Sequence, residues 1–78
     1  MKIEILGPGC PKCHMTEDNV RKALAELNKT ADVIKISDIN AIIEKGIMQT
    51  PALIVDGKIV IQGRTPTVEQ IKQFIQEG

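Results

Sequence analysis

Glycine and proline cut this chain into short pieces, and that punctuation limits the folds open to it. Gly7-Pro8-Gly9, Gly46, Asp56-Gly57 and Gly63-Arg64-Thr65-Pro66-Thr67 separate apolar runs whose periodicity switches between strand and helix. Lys2 to Leu6 is short, Ile-rich and closed by Gly7-Pro8-Gly9, which predicts a strand and a tight loop. From Pro11 to about Asn28, Thr16 (through its methyl), Val20, Ala23, Leu24 and Leu27 fall on one helical face. Glu17 and Asp18 early, with Arg21, Lys22 and Lys29 later, are expected to suit the helix dipole. Ala31 to Ile36 alternates toward a second strand, with Val33, Ile34 and Ile36 apolar.

Ser37-Asp38 is a helix cap in prospect, Ile39, Ile42 and Ile43 follow at helical spacing, and Gly46 reads as the stop. Ala52 to Val55 is a third strand. Asp56-Gly57 is a strong hairpin signal, so Lys58 to Gln62 should return antiparallel. Val68, Ile71, Phe74 and Ile75 form the apolar stripe of a last helix. The order β-α-β-α-β-β-α predicts an α/β domain over residues 1–78.

Composition narrows the function classes. A chain of 78 residues has room for one thin core, burying only about 60% of the surface that its unfolded form exposes. That core must be aliphatic: there are thirteen Ile, five Val, four Leu and five Ala, and Phe74 is the single aromatic. The Ile stripes are expected to be core. So many aliphatics exclude disorder, and the lack of aromatic platforms argues against a base-stacking nucleic-acid module. Ten Lys and Arg balance ten Asp and Glu, leaving no basic stripe for phosphates. No apolar run approaches the roughly 20 residues that cross a bilayer. The Met-Lys-Ile-Glu-Ile-Leu start does not resemble a signal peptide, so the expected location is cytoplasmic.

The chemistry is concentrated in Gly7-Pro8-Gly9-Cys10-Pro11-Lys12-Cys13. In a cytoplasmic chain a close Cys pair is more often catalytic or metal-binding than structural. Two Cys separated by two residues at a helix start can form a disulfide with modest rearrangement. Cys10 falls where backbone N–H groups and the positive end of the dipole stabilise an anion, which lowers a thiol pKa by roughly one to five units. Pro11 suits the first helical position because it has no N–H to leave unpaired, and Lys12 adds a cation. Cys10 is therefore the expected attacking thiolate, and Cys13, one turn in, the more buried resolving thiol. Together they would exchange a disulfide through a mixed-disulfide intermediate.

The second constellation is Ile47-Met48-Gln49-Thr50-Pro51-Ala52-Leu53. Pro51 stands immediately before a strand, where proline is tolerated only at a start or an edge, and Thr50-Pro51 is a candidate cis bond. Only about 5–6% of such bonds are cis in folded proteins. Met48 reads as core packing or groove lining.

Taken together, the strand, Cys-Pro-Lys-Cys at a helix start, Thr-Pro-Ala-Leu, the Val-Asp-Gly-Lys hairpin and Gly63 after the next strand resemble the thioredoxin superfamily. The resemblance runs over the whole chain. Size and motifs look closest to small prokaryotic and archaeal redox-active disulfide proteins, glutaredoxin-sized with thioredoxin-like activity. It implies a minimal thioredoxin fold, with a mixed four-stranded sheet in the order 2-1-3-4 and helices on both faces. It implies that Thr50-Pro51 is the cis-proline element packed against the Cys pair, that the Thr50 backbone pairs with a substrate strand, and that Gly63 borders the same groove.

The implied activity is that of a thiol–disulfide oxidoreductase acting on protein disulfides, without a bound cofactor or metal, and reduced by a thioredoxin-reductase-like donor; nothing in the sequence demands more than a monomer. The chain departs from the family pattern in places. Gly9 stands where thioredoxins place Trp before the first Cys, and Pro11-Lys12 where they carry Gly-Pro. Lys12 replaces the Tyr of many glutaredoxins, and the segment from Gly63 to Thr67 lacks the second Gly and the acid with which they hold glutathione. Glu4, six residues before Cys10, occupies the offset at which thioredoxins bury an acid, but alternation leaves its direction open and an exposed strand Glu is the favoured reading.

Three rivals use the same cysteines. Cys10-Pro11-Lys12-Cys13-His14 spells the c-type haem attachment motif, but the export signals and the aromatics to line a haem are missing. His14 is expected to be an exposed helix residue. A structural zinc needs four ligands, and Cys10, Cys13 and His14 supply three at best. A soft-metal-binding or metal-transfer module is the stronger alternative, because two thiolates suit such ions. Those domains end in a strand, whereas this chain is expected to end in a helix.

Overall fold

The computed structural model describes residues 1–9 and 11–77. The elements are β1 (Lys2–Leu6), α1 (Pro11–Glu26), β2 (Asp32–Ile36), α2 (Ile39–Glu44), β3 (Ala52–Val55), β4 (Lys58–Gln62) and α3 (Val68–Glu77). The sheet order is β2-β1-β3-β4. β1 pairs parallel with β2, matching Glu4 to Ile34, and antiparallel with β3, matching Ile5 to Leu53. β3 and β4 are antiparallel, with a register shift between Leu53 and Ile54. This is the mixed α/β sheet of a minimal thioredoxin fold, and its last described element is a helix.

Alternation along β1 divides the core. Ile3 and Ile5 face Val20, Ala23 and Leu24 of α1 and Ile71 and Ile75 of α3, with Leu53, Val55 and Ile61 completing that layer. Leu6 faces the other way, against Ala52, Ile54, Ile42 of α2 and Ile47. Helices thus cover both faces. The Ile stripes are not uniformly core: Ile42 is buried, whereas Ile39 and Ile43 are 61% and 62% exposed. A six-residue helix has only one position per turn aimed at the sheet. Ile34 on the edge strand β2 is also exposed.

Helix ends follow local chemistry. Asp38 caps α2 by accepting from the Asn40 N–H at 3.0 Å. α2 stops where Gly46 takes φ +81° and the Ile47 N–H returns to the Ile42 carbonyl at 3.2 Å, which seats Ile47 in the core. α1 ends before Asn28, itself left-handed at φ 54°, with the Lys29 N–H donating to the Leu24 carbonyl at 3.0 Å. The expected dipole pattern on α1 is absent: Glu17 lies beyond the first turn and Lys29 beyond the helix, so neither terminal turn carries a complementary charge. Glu17 instead pairs with Arg21 at 2.9 Å and, across to β2, with Lys35 at 3.3 Å. No helix among the described residues is long and apolar enough to cross a membrane.

Candidate functional site

β1 delivers the chain to its site. Its ladder to β2 continues one residue past the strand, where the Gly7 N–H donates to the Ile36 carbonyl at 2.9 Å. Cys10, the expected attacking thiolate, lies outside the described residues. α1 begins at Pro11, which therefore holds the first helical position as expected. Cys13, one turn on, is buried.

Three segments converge there. A Cβ added to Gly7 would overlap Cys13 Sγ and stand 3.8 Å from Thr50 Cβ. The turn after β1, the first turn of α1 and the segment before β3 therefore meet at one point. The Thr50-Pro51 bond is cis, Pro51 is fully buried, and Thr50 is exposed. Gly63 lies beside them: its N–H donates to the Pro51 carbonyl at 2.9 Å, and its φ of +78° favours glycine. The sequence thus places Cys13, Thr50, Pro51 and Gly63 in one neighbourhood.

The loop after β4 is fixed to α1. Asn19 Nδ2 donates to the carbonyl of buried Pro66 at 2.9 Å, and Thr65 Oγ1 donates to the Lys12 carbonyl at 3.4 Å. The same Lys12 carbonyl accepts from Thr16 Oγ1 at 2.8 Å. The backbone of Lys12 is thereby held from two sides, while its side chain, like His14, is exposed.

Two hollows flank this point. A cavity of about 180 Å³ beside Cys13 is lined by Ile5, Gly7, His14, Glu17 and Lys35, among others. An apolar groove of about 290 Å³ runs past Thr50, lined by Pro8, Ile39, Ile43, Ile47 and Met48. Met48 is 91% exposed, so it lines the groove and contributes nothing to the core.

Glu4 overturns the favoured expectation of an exposed strand residue: it is only 6% exposed. It shares the α2 face with Leu6, and lysines make its burial tolerable. Lys2 Nζ lies 3.1 Å from one carboxylate oxygen and Lys45 Nζ, just past α2, 3.1 Å from the other. Burial alone would raise its pKa. The hydrogen bonds and charges of Lys2 and Lys45 outweigh that and hold the carboxyl below its ordinary value.

In the sequence, Gly7 and Gln49 stand out only as members of longer motifs, with no role of their own, and Lys45 does not stand out at all. Gly7 had a usable signal, a glycine directly between a central strand and the Cys pair. Lys45 was legible only once Glu4 was assigned to the α2 face. Gln49 had none: its side chain lies against Gly63, a contact set by the loop's path.

A family model described as a thioredoxin domain matches residues 1–76. A thioredoxin from Methanocaldococcus jannaschii is 45% identical over 74 residues, covering 95% of this chain and 85% of that relative. A thioredoxin from Methanothermobacter thermautotrophicus is 43% identical over 75 residues, covering 96% and 97%. With the sheet order and the meeting of Cys13 with Thr50-Pro51, these matches place the chain in the thioredoxin family, as a thiol–disulfide oxidoreductase.

Proposed function

We propose that residues 1–78 form a single thioredoxin-like domain that exchanges the Cys10-Pro11-Lys12-Cys13 dithiol and disulfide with protein disulfides, in the cytoplasm and as a monomer. The observation that carries this reading is that Cys13 Sγ and the Thr50 side chain both come close to Gly7, beside the cis Thr50-Pro51 bond, which supports a partner strand entering next to the second cysteine. The Cys10 thiolate attacks one sulfur of the partner disulfide. A mixed disulfide forms, and the partner's other sulfur leaves as a thiolate. Cys13, losing its proton, then attacks the Cys10 sulfur, which closes the Cys10–Cys13 disulfide and releases the second partner thiol.

Two electrons pass to the partner in each cycle. A thioredoxin-reductase-like donor returns them, and the protein supplies the exchange without a cofactor. Thr50, Pro51 and Gly63 shape the groove, and Pro11 and Lys12 tune the couple. A metal-transfer role is less well supported, because the Thr50-Pro51 bond is cis and β4 is followed by the helix α3 among the described residues.

The test is to trap the intermediate. Cys13→Ser, mixed with a protein disulfide, should accumulate a one-to-one covalent adduct by mass that dithiothreitol releases. Cys10→Ser should form none. Adducts with Cys10→Ser and none with Cys13→Ser would reverse the two roles, and adducts with neither would remove the exchange mechanism.

A further inference from the structure

Gln49 stands in the chain between Met48 and Thr50, two residues that line the apolar groove. Its side chain is folded over Gly63, so that a Cβ there would run into the Gln49 carboxamide and stand 3.1 Å from its Cβ. The backbone on either side is tied down. The Met48 N–H donates to Gln62 Oε1 at 3.2 Å, and the Gly63 N–H donates to the Pro51 carbonyl at 2.9 Å. The Gln49 carboxamide itself makes no hydrogen bond among the described residues, and the residue is exposed. The φ of +78° favours glycine at position 63, and a Cβ there would also push the Gln49 side chain aside.

We propose that Gln49 is a specificity-determining residue whose carboxamide hydrogen-bonds a peptide group of the partner next to the disulfide under attack. A carboxamide carries one acceptor and two donors on a single plane, which matches the N–H and C=O of an extended backbone. The backbone beside it is tied down and its polar atoms are unengaged among the described residues, so no hydrogen bond must break when a partner arrives. The ligand class is an extended polypeptide; a disulfide without peptide bonds, such as bis(2-hydroxyethyl) disulfide, has no group to meet it. This inference rests on the reading that the Thr50-Pro51 groove receives a partner strand.

The experiment compares kcat/KM for insulin disulfides and for bis(2-hydroxyethyl) disulfide, with dithiothreitol as reductant. Gln49→Leu keeps the bulk over Gly63 and removes the hydrogen bonds. The ratio of the two kcat/KM values should shift roughly three- to tenfold away from insulin, the effect of about one neutral hydrogen bond.

An unchanged ratio in Gln49→Leu, with wild type active on both substrates, overturns the assignment of Gln49 and leaves the exchange reading standing. An equal fall on both substrates, or a shifted midpoint potential of the Cys pair, also overturns it, by showing a structural role. If wild type reduces the small disulfide and not insulin, the protein-disulfide reading fails, and this inference with it.

Discussion

Gly7 lies so close to Cys13 Sγ that any side chain at position 7 would claim the space the sulfur holds. The contact ties the end of the central strand to the first turn of α1. It also converts a residue with no side chain into a determinant of the site.

Gly7→Ala should therefore be costly although it adds one methyl group. Overpacking at a closed contact destabilises by about 1–3 kcal/mol, and here the atom displaced is the Cys13 sulfur. Urea unfolding should show a lowered midpoint with an unchanged slope. A midpoint equal to wild type would mean that the sulfur can retreat without loss.

Glu4 and Glu17 set the acid limb of stability. Burial raises the Glu4 pKa, but its bonds to Lys2 and Lys45 prevail, and the hydrogen bond from Arg21 leads the lowering at Glu17. A carboxylate held below its unfolded value contributes stability above that unfolded value and loses it as pH falls through the folded one. Stability should decline as pH drops below the ordinary glutamate value of 4.5. Glu4→Gln should flatten that decline and cost about 1–2 kcal/mol at neutral pH, less than a fully buried pair because both lysines remain partly exposed. Unfolding midpoints measured across the acid range decide it, and parallel curves for the two proteins would remove Glu4 from the account.

The two faces of α2 should separate cleanly. Ile42→Ala removes buried volume against Leu6 and Ile54 and should cost about 2–5 kcal/mol. Ile43→Ser, one residue on, should change stability by about 0.5 kcal/mol or less. Thermal or urea unfolding of the pair reads the contrast directly, and equal losses would place both residues in the core.

Asn19→Ala should loosen the loop after β4 without touching the sheet. It removes the donor to the Pro66 carbonyl, worth about 1 kcal/mol. Amide exchange should quicken at residues 64–67 and stay slow in β1 and β3. Uniform acceleration would show that the anchor supports the whole fold.

Much of this was readable from residues because local chemistry and tertiary fold agree. Asp56-Gly57 forms its turn with φ values of 50° and 83°, and the strands on either side begin and end where the pattern places them. Gly46 ends α2 for the reason its type suggests. Periodicity failed where an element is too short to average: Ile39, Ile42 and Ile43 match a helical face, but one residue in three reaches the sheet. Glu4 was ambiguous because β1 carries Lys2, Glu4 and Leu6 on one face, and only the position of Lys45 shows how the acid is accommodated. The Gln49–Gly63 contact depends on two loops meeting, which no local pattern encodes.

β1 stands in the middle of the sheet yet is drawn from the first six residues. Of the four strands it is therefore made before both of its neighbours, β2 first and then β3. Its antiparallel neighbour arrives only with residues 52–55. No fragment that stops before residue 52 pairs β1 on both sides, and none without β1 can join β2 to β3. Folding must close a long loop before the core exists, which slows it relative to a helical chain of this length. The same dependence makes native loss cooperative: once β1 detaches, both layers of the core lose their shared wall together.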